Sequence, residues 1–237
     1  FQIRKLKSYL KKQNVPEILY PAIQMTNGCN KQCRGCLRSA NTSALKISYD
    51  NFHKYMDDIK SLAGAYITEY QFVTGGEPTI WKSQGKDIVD ALSELSNLNL
   101  IGTVYMPTNG KVFEDIVYAR EFFKRLTGMT GRNITVGISI SEYQENLGEA
   151  GYIALDNLIQ VSKEPGMKIN PLILVTLSVD DDTDKRLNSL YPGIFQRVTP
   201  FAPLGDASDM TGRAPSLSLS GNKKDTLGAY LPHFKKD

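Results

Sequence analysis

Cys29-Asn30-Lys31-Gln32-Cys33-Arg34-Gly35-Cys36 gathers all three cysteines of the 237-residue chain into eight positions. The C-x3-C-x2-C spacing can place three thiolates on one loop around a cubane iron–sulfur cluster. Such clusters are usually held by four thiolates, so three leave one iron without a protein ligand. An iron with an open position can bind a small molecule and do chemistry on it. Two other readings stand beside this one. A structural zinc site would want a fourth Cys or His at close spacing, and the two histidines, His53 and His233, are not in a zinc-module arrangement. Three redox-inert thiols clustered by chance are the remaining alternative.

The segment Gln24-Met25-Thr26-Asn27-Gly28-Cys29-Asn30, followed by Cys33 and Cys36, resembles the cluster loop of the radical S-adenosylmethionine (radical SAM) superfamily. Some forty residues on, Val73-Thr74-Gly75-Gly76-Glu77-Pro78 is similar to that superfamily's GGEP motif. A Gly-Gly pair alone is weak, since most such pairs mark turns. Here it follows the apolar run from Tyr70 to Val73, which reads as a buried strand, so the glycines fall at its carboxyl end. Glycine there lets backbone approach a ligand closely, with no Cβ between.

Composition fits a cytoplasmic enzyme. Hydrophobic residues make up 41% of the chain, enough for a full core, and the net charge of +3 with scattered Lys and Arg argues against a nucleic-acid partner. The longest apolar stretches are of strand length, so neither a signal peptide nor a membrane span is expected. Unpaired cysteines suit a reducing compartment, where the sequons at Asn41 and Asn133 carry no weight. Phe1 is not a start methionine.

Periodicity predicts alternating strands and helices. Strands are expected at 18–26, 70–74, 100–106, 134–140, 168–177 and 195–201. Helices are expected at 49–63, 86–98, 115–126, 151–162 and 181–190, with a tight loop at 107–110. In the first helix Phe52, Tyr55, Met56, Ile59 and Leu62 recur at i, i+3, i+4, i+7 and i+10. Strand–helix alternation implies a parallel sheet with crossover helices. The fold class is α/β: a partial (β/α)6 TIM-like barrel at 18–205, with an extension at 1–17 and an extension or loop at 206–237. Ligands of parallel α/β folds sit at the strands' carboxyl ends, where the cysteine loop, 75–78, 108–110, Ser139, Ser141, Glu142 and the 200–205 loop all fall.

The resemblance implies roles. Cys29, Cys33 and Cys36 would ligate a [4Fe–4S] cluster whose fourth iron is chelated by the amine and carboxylate of S-adenosylmethionine. Gly75, Gly76 and Glu77 would hold the amine through backbone carbonyls and nearby polar groups. Asn109, Ser139 and Ser141 are candidates for the ribose hydroxyls and the carboxylate. Ordinary strand-end capping competes with each of those three. Reductive cleavage would yield a 5′-deoxyadenosyl radical that takes a hydrogen atom from a small-molecule or peptide substrate, with a flavodoxin- or ferredoxin-type reductant as electron donor. The radical chemistry belongs to the cofactor; the protein orients substrate and excludes water. Two departures from the family pattern stand out. Gly35 occupies the place of a common aromatic before the third cysteine, which leaves adenine packing to Leu37 or the 200–203 loop. The stretch 141–147 also lacks the arginine that often pairs the cofactor carboxylate.

With every thiol committed, no auxiliary cluster and no spare hydrogen-donating thiol is expected from this chain, although 198–207 resembles the segment that precedes cluster-bearing tails in peptide-modifying members. Tyr143 could donate hydrogen or touch substrate, and Trp81 could line the pocket, but tyrosine and tryptophan more often simply pack. Arg34 and Arg38 could bind an anion or the reductant, or form a solvated face. His53 reads as surface, and Asp180–Asp182 as an acidic helix start. Direct chemistry on a substrate is the favoured function. A glycyl-radical activase acting on a partner protein is one alternative, and a non-catalytic iron–sulfur sensor or electron carrier is another, though a carrier would have no use for 75–78 and a strand-end pocket.

Overall fold

The computed structural model describes residues 22–33, 36, 45–63, 70–98, 103–130, 132, 134–140, 150–177, 187, 189–194 and 196–200. Its centre is a six-stranded, wholly parallel sheet of β1 (Ala22–Gln24), β2 (Tyr70–Thr74), β5 (Thr103–Thr108), β6 (Ile134–Ile140), β7 (Ile169–Leu177) and β8 (Gln196–Pro200). Spatial order equals chain order across these strands. Each unit is thus laid down beside the last in one direction, as in a barrel. A doubly wound sheet would instead reverse at a switch point. Among the described residues no pairing joins β1 to β8, so the barrel is partial.

Among the described residues four α-helices lie in the crossovers: α1 (Tyr49–Ala63), α2 (Ile88–Ser96), α3 (Ile116–Met129) and α4 (Ala150–Ser162). Three of the starts have a visible local cause. Ser48 Oγ accepts the Asn51 N–H ahead of α1. Asp87 and Asp90 form a reciprocal capping box on α2, and Asp115 accepts from the Val117 and Tyr118 N–H groups of α3. Such caps contribute about 1 kcal/mol each. The apolar stripes then point inward: Phe52, Met56 and Ile59 of α1, Phe122, Phe123 and Leu126 of α3, and Leu155, Leu158 and Val161 of α4 are all buried. Strand β6 alternates cleanly, with Ile134, Val136, Ile138 and Ile140 joining the helix-covered core. Thr135, Gly137 and Ser139 are left for the sheet's other face.

The structure moves some of the expected boundaries. Helix α2 begins at Ile88, because Lys86 and Asp87 form strand β4, which pairs antiparallel with β3 (Lys82–Ser83) in a small hairpin. Its turn places Gln84 at φ 51° and Gly85 at φ 74°, the positive-φ pair of a type I′ turn. Strand β5 runs to Thr108, through Pro107. Its pairing with β2 ends at Tyr105 while that with β6 continues to Thr108, so Pro107 lies where one side of the strand carries no ladder and a missing N–H is tolerated. The start of the expected first strand (18–21), most of the helix at 181–190 and everything beyond residue 200 lie outside the described residues. No described helix is long and apolar enough to cross a membrane.

Candidate active site at the carboxyl edge of the sheet

The chain leaving β1 enters the cysteine loop, and the segment after that loop returns to pair with its own beginning. Thr26 and Lys46 form an antiparallel bridge. Asn27 N–H donates to Leu45 O at 2.8 Å and Ile47 N–H to Met25 O at 3.0 Å. The loop is therefore closed at its base. Trp81, only 1% exposed, donates its indole N–H to Ile47 O at 2.9 Å. It anchors the returning segment from the core.

The turn after β2 clasps the same loop. Gly76 N–H donates to Thr26 O at 2.7 Å, and Glu77 N–H to Gly28 O at 2.8 Å. The approach is too close for any side chain. A Cβ on Gly75 would stand 2.4 Å from Thr26 O, and one on Gly76 2.3 Å from Gly28 O.

Glu77 turns its carboxylate inward and is 1% exposed. Oε1 accepts from Thr79 N–H (3.0 Å), Thr79 Oγ1 (2.7 Å) and Thr108 Oγ1 (2.8 Å), and Oε2 accepts from Asn109 N–H (2.7 Å). Burial pushes the Glu77 carboxyl above its ordinary value, against the pull of those four donors. The carboxylate is thus a strut joining the end of β2 to the end of β5. Asn109 continues the connection. Its backbone carbonyl accepts Lys31 Nζ at 3.2 Å, and its side-chain Nδ2 lies 2.8 Å from Asn30 Oδ1 and 3.6 Å from Cys29 Sγ. Gly110 follows at φ 76°, where a Cβ would press on Ala154 and Ile138.

Cys29 is buried, while Cys33 and Cys36 are half-buried on a turn in which Cys36 N–H donates to Cys33 O at 3.1 Å. Burial raises the Cys29 thiol, the charge of Glu77 adds to this, and N–H donors from Lys31 and Asn109 oppose it. Among the described residues no three metal-ligating side chains converge as a finished cage: Cys29 is fixed, and the other two thiols follow it on the same short loop. The donor set fits an iron–sulfur cluster. It is three soft sulfurs on one loop, with two N–H donors at the buried one.

Of the other residues read from sequence, Gly75, Gly76, Glu77 and Asn109 come together around the cysteine loop. Ser139 is half-buried near the end of β6, beside Leu174 of β7 and one residue past Ile138, the partner of Thr108. Ser141 and Tyr143, like Arg34 and Arg38, lie outside the described residues. His53 is half-exposed, 3.6 Å from Glu94 on the outer helices. Sequence reading placed Thr108 in a strand-end loop but gave it no role, and it missed Thr79, Lys31 and the returning segment 45–47. Thr79 and Thr108 carried a signal, one two residues past Glu77 and the other directly before Asn109.

A profile of the Radical SAM superfamily matches residues 23–159, more than half of the chain. GTP 3′,8-cyclase of Clostridium botulinum (strain Hall) is 27% identical over 199 residues, covering 80% of this chain and 58% of that protein. The chain therefore spans less than two thirds of that relative. Streptococcus suis SuiB bound to its precursor peptide SuiA superposes with a TM-score of 0.61 at 15% identity, covering 84% of this chain and 43% of SuiB. anSMEcpe with bound AdoMet gives 0.50 at 17% identity, covering 76% and 51%. Those structures share the fold of the sheet and helices described above. With the family match spanning both the cysteine loop and the strand-end turns that clasp it, the chain belongs to the radical SAM superfamily, enzymes that work with a [4Fe–4S] cluster and S-adenosylmethionine.

Proposed function

We propose that Cys29, Cys33 and Cys36 ligate the [4Fe–4S] cluster of this chain, and that the enzyme abstracts a hydrogen atom from a small-molecule or peptide substrate bound over the carboxyl edge of the sheet. When bound, the cluster supplies the electron that cleaves S-adenosylmethionine to a 5′-deoxyadenosyl radical. The observation that carries this reading is the double clasp from Gly76 and Glu77 N–H onto Thr26 O and Gly28 O, which sets the cysteine loop against the strand-end turns.

The chain's residues then take these parts. The carboxylate of Glu77 is occupied by four donors, and its carbonyl accepts Ile80 N–H at 3.3 Å. The methionyl amine is accordingly assigned to the backbone carbonyls of Gly75 and Gly76. Ser139, on the sheet face turned away from the helices, is assigned to the ribose or carboxylate with Ser141, and Tyr143 to the substrate. A flavodoxin- or ferredoxin-type protein is the reductant, and an oxygen-sensitive cluster suits the cytoplasm. A nucleotide is the first small molecule to screen, given the GTP 3′,8-cyclase relative, and a peptide the second, given the SuiB–SuiA complex.

Anaerobic reconstitution with iron and sulfide, followed by S-adenosylmethionine and dithionite, tests this. Release of 5′-deoxyadenosine, lost in Cys29→Ala, Cys33→Ala and Cys36→Ala, is expected. Deuterium transfer from labelled nucleotides or peptides then identifies the substrate class. A well-formed cluster that leaves S-adenosylmethionine intact overturns the reading.

A further inference from the structure

Asn109 is 8% exposed, and the partners around it fix the sense of its carboxamide. Lys111 N–H donates to Oδ1 at 3.0 Å. Turning the amide over would set Nδ2 against that backbone donor, so the amide nitrogen must face the cysteine loop. An asparagine amide has two N–H donors. One is directed at Asn30 Oδ1 (2.8 Å) and the other at Cys29 Sγ (3.6 Å). The backbone of the same residue is held on both sides, by Glu77 Oε2 and by Lys31 Nζ. Both amide hydrogens are therefore spent on the loop, and neither is left for a ribose hydroxyl.

We infer that Asn109 is a positioning residue for the iron–sulfur centre: it holds Cys29 in place and donates an N–H···S hydrogen bond to that ligand, which raises the cluster's reduction potential. This rests on the cluster assignment proposed above. The physical basis is charge. One-electron reduction of a cluster by an external donor of the flavodoxin or dithionite class adds one negative charge, spread over iron and sulfur. A fixed N–H dipole at a ligand sulfur stabilises the reduced form more than the oxidised one, and hydrogen bonds to the sulfurs are among the terms that set these potentials. The buried setting of Cys29 enlarges the effect, because little water competes for the sulfur.

The test is an EPR-monitored redox titration of the reconstituted full chain without S-adenosylmethionine, comparing wild type, Asn109→Ala and Asn109→Asp. Asn109→Ala is expected to lower the reduction equilibrium constant about fivefold, the worth of one ordinary net hydrogen bond, or about 40 mV at 59 mV per tenfold. Asn109→Asp keeps the acceptor for Lys111 N–H but sets a carboxylate beside the sulfur, so it is expected to shift the potential further in the same direction. Unchanged potentials with weakened S-adenosylmethionine binding would overturn the inference and return Asn109 to the cofactor. Failure of the wild type itself to form a cluster would instead overturn the underlying assignment. If only the variants fail to retain iron, amide exchange of the iron-free chains decides. Lost protection across residues 29–31 supports the positioning role, and unchanged protection overturns it.

Discussion

Gly76→Ala adds a single methyl group where the turn after β2 meets the cysteine loop, and its cost can be worked from the contacts. A Cβ at position 76 would lie 2.3 Å from Gly28 O and 2.7 Å from both Gly28 C and Asn27 O. All three are backbone atoms, so no flexible side chain can yield. Real Cβ atoms essentially never come within 3.0 Å of such neighbours, so the two segments must part by about 0.7 Å, the difference between 3.0 and 2.3 Å. The hydrogen bonds Gly76 N–Thr26 O and Glu77 N–Gly28 O, 2.7 and 2.8 Å long, bracket the contact and would both be strained. Losing the pair removes about 2 kcal/mol, and forced overpacking adds about 1–3 kcal/mol. At roughly 2–4 °C per kcal/mol for a chain of this size, the melting temperature should fall by about 10 °C.

Thermal unfolding followed by circular dichroism measures that fall in the iron-free chain, and iron content after anaerobic reconstitution measures its consequence at Cys29, the residue next to Gly28. Gly128→Ala is the control. That glycine lies in α3, where an added Cβ meets nothing within 4 Å, so the same substitution should leave stability unchanged or raise it by up to about 1 kcal/mol. A G76A protein that melts within about 2 °C of wild type and takes up a full complement of iron would refute the argument that the glycines are needed by the clasp.

Three further outcomes are expected. Glu77→Gln must set an NH2 group against either Asn109 N–H or the donors around Oε1, which should cost about 1–3 kcal/mol; a urea midpoint equal to wild type would count against the strut. At Asp90 burial alone would raise the carboxyl, but the Asp87 N–H, the Arg125 guanidinium and Lys86 outweigh it and hold it below its ordinary value of 3.8. The folded state therefore binds that proton less readily than the unfolded chain, so the stabilisation is full above about pH 4 and fades as pH falls through the depressed value. Arg125→Met should flatten the acid limb of the stability profile, and an unchanged slope below pH 4 would contradict this. Gly137→Ala places a Cβ 2.4 Å from Tyr105 Oη and 2.9 Å from a ring carbon. Adding Tyr105→Phe should recover part of the loss, with a coupling of about 1 kcal/mol in a double-mutant cycle, whereas simple additivity would show that the contact is not the cause.

Long periodic segments were legible in the sequence, and short or locally decided ones were not. Helix α1 and strands β2 and β6 have the bounds their patterns predict; in α1 and β6 regularly spaced apolar residues meet one core. The β3–β4 hairpin has two residues per strand, too few for any period. Its one sequence signal is Gln84-Gly85, and glutamine at positive φ is not a residue one would choose for a turn. Lys86 and Asp87 read as the first residues of α2 because polar positions before an apolar stripe do not reveal where the helix starts; Asp87 is in fact the cap. At the site, cysteine spacing and the Gly-Gly-Glu run exposed the chemistry, but not the division of labour. Glu77 and Asn109 read as residues facing a ligand. Their atoms are spent on Thr79, Thr108, Asn30, Cys29 and Lys111, and those long-range pairings leave no mark in a one-dimensional pattern.

That division changes what the Gly-Gly-Glu turn is for. Glycine at the end of β2 was expected because a ligand must come close, yet the atoms a Cβ would strike belong to Thr26, Asn27 and Gly28. The closeness is between two parts of the protein before any ligand is considered. The turn after β2, the end of β5 and the stem of the cysteine loop are joined by Gly76, Glu77 and Asn109 into one hydrogen-bonded body, and Ser139 on β6 takes part in none of those bonds. Damage should therefore separate into two kinds. Substitutions at Gly76, Glu77 or Asn109 move the thiol of Cys29 and should act first on iron retention and reduction potential. Substitutions at Ser139 leave the clasp intact and should act on S-adenosylmethionine affinity with the iron content unchanged.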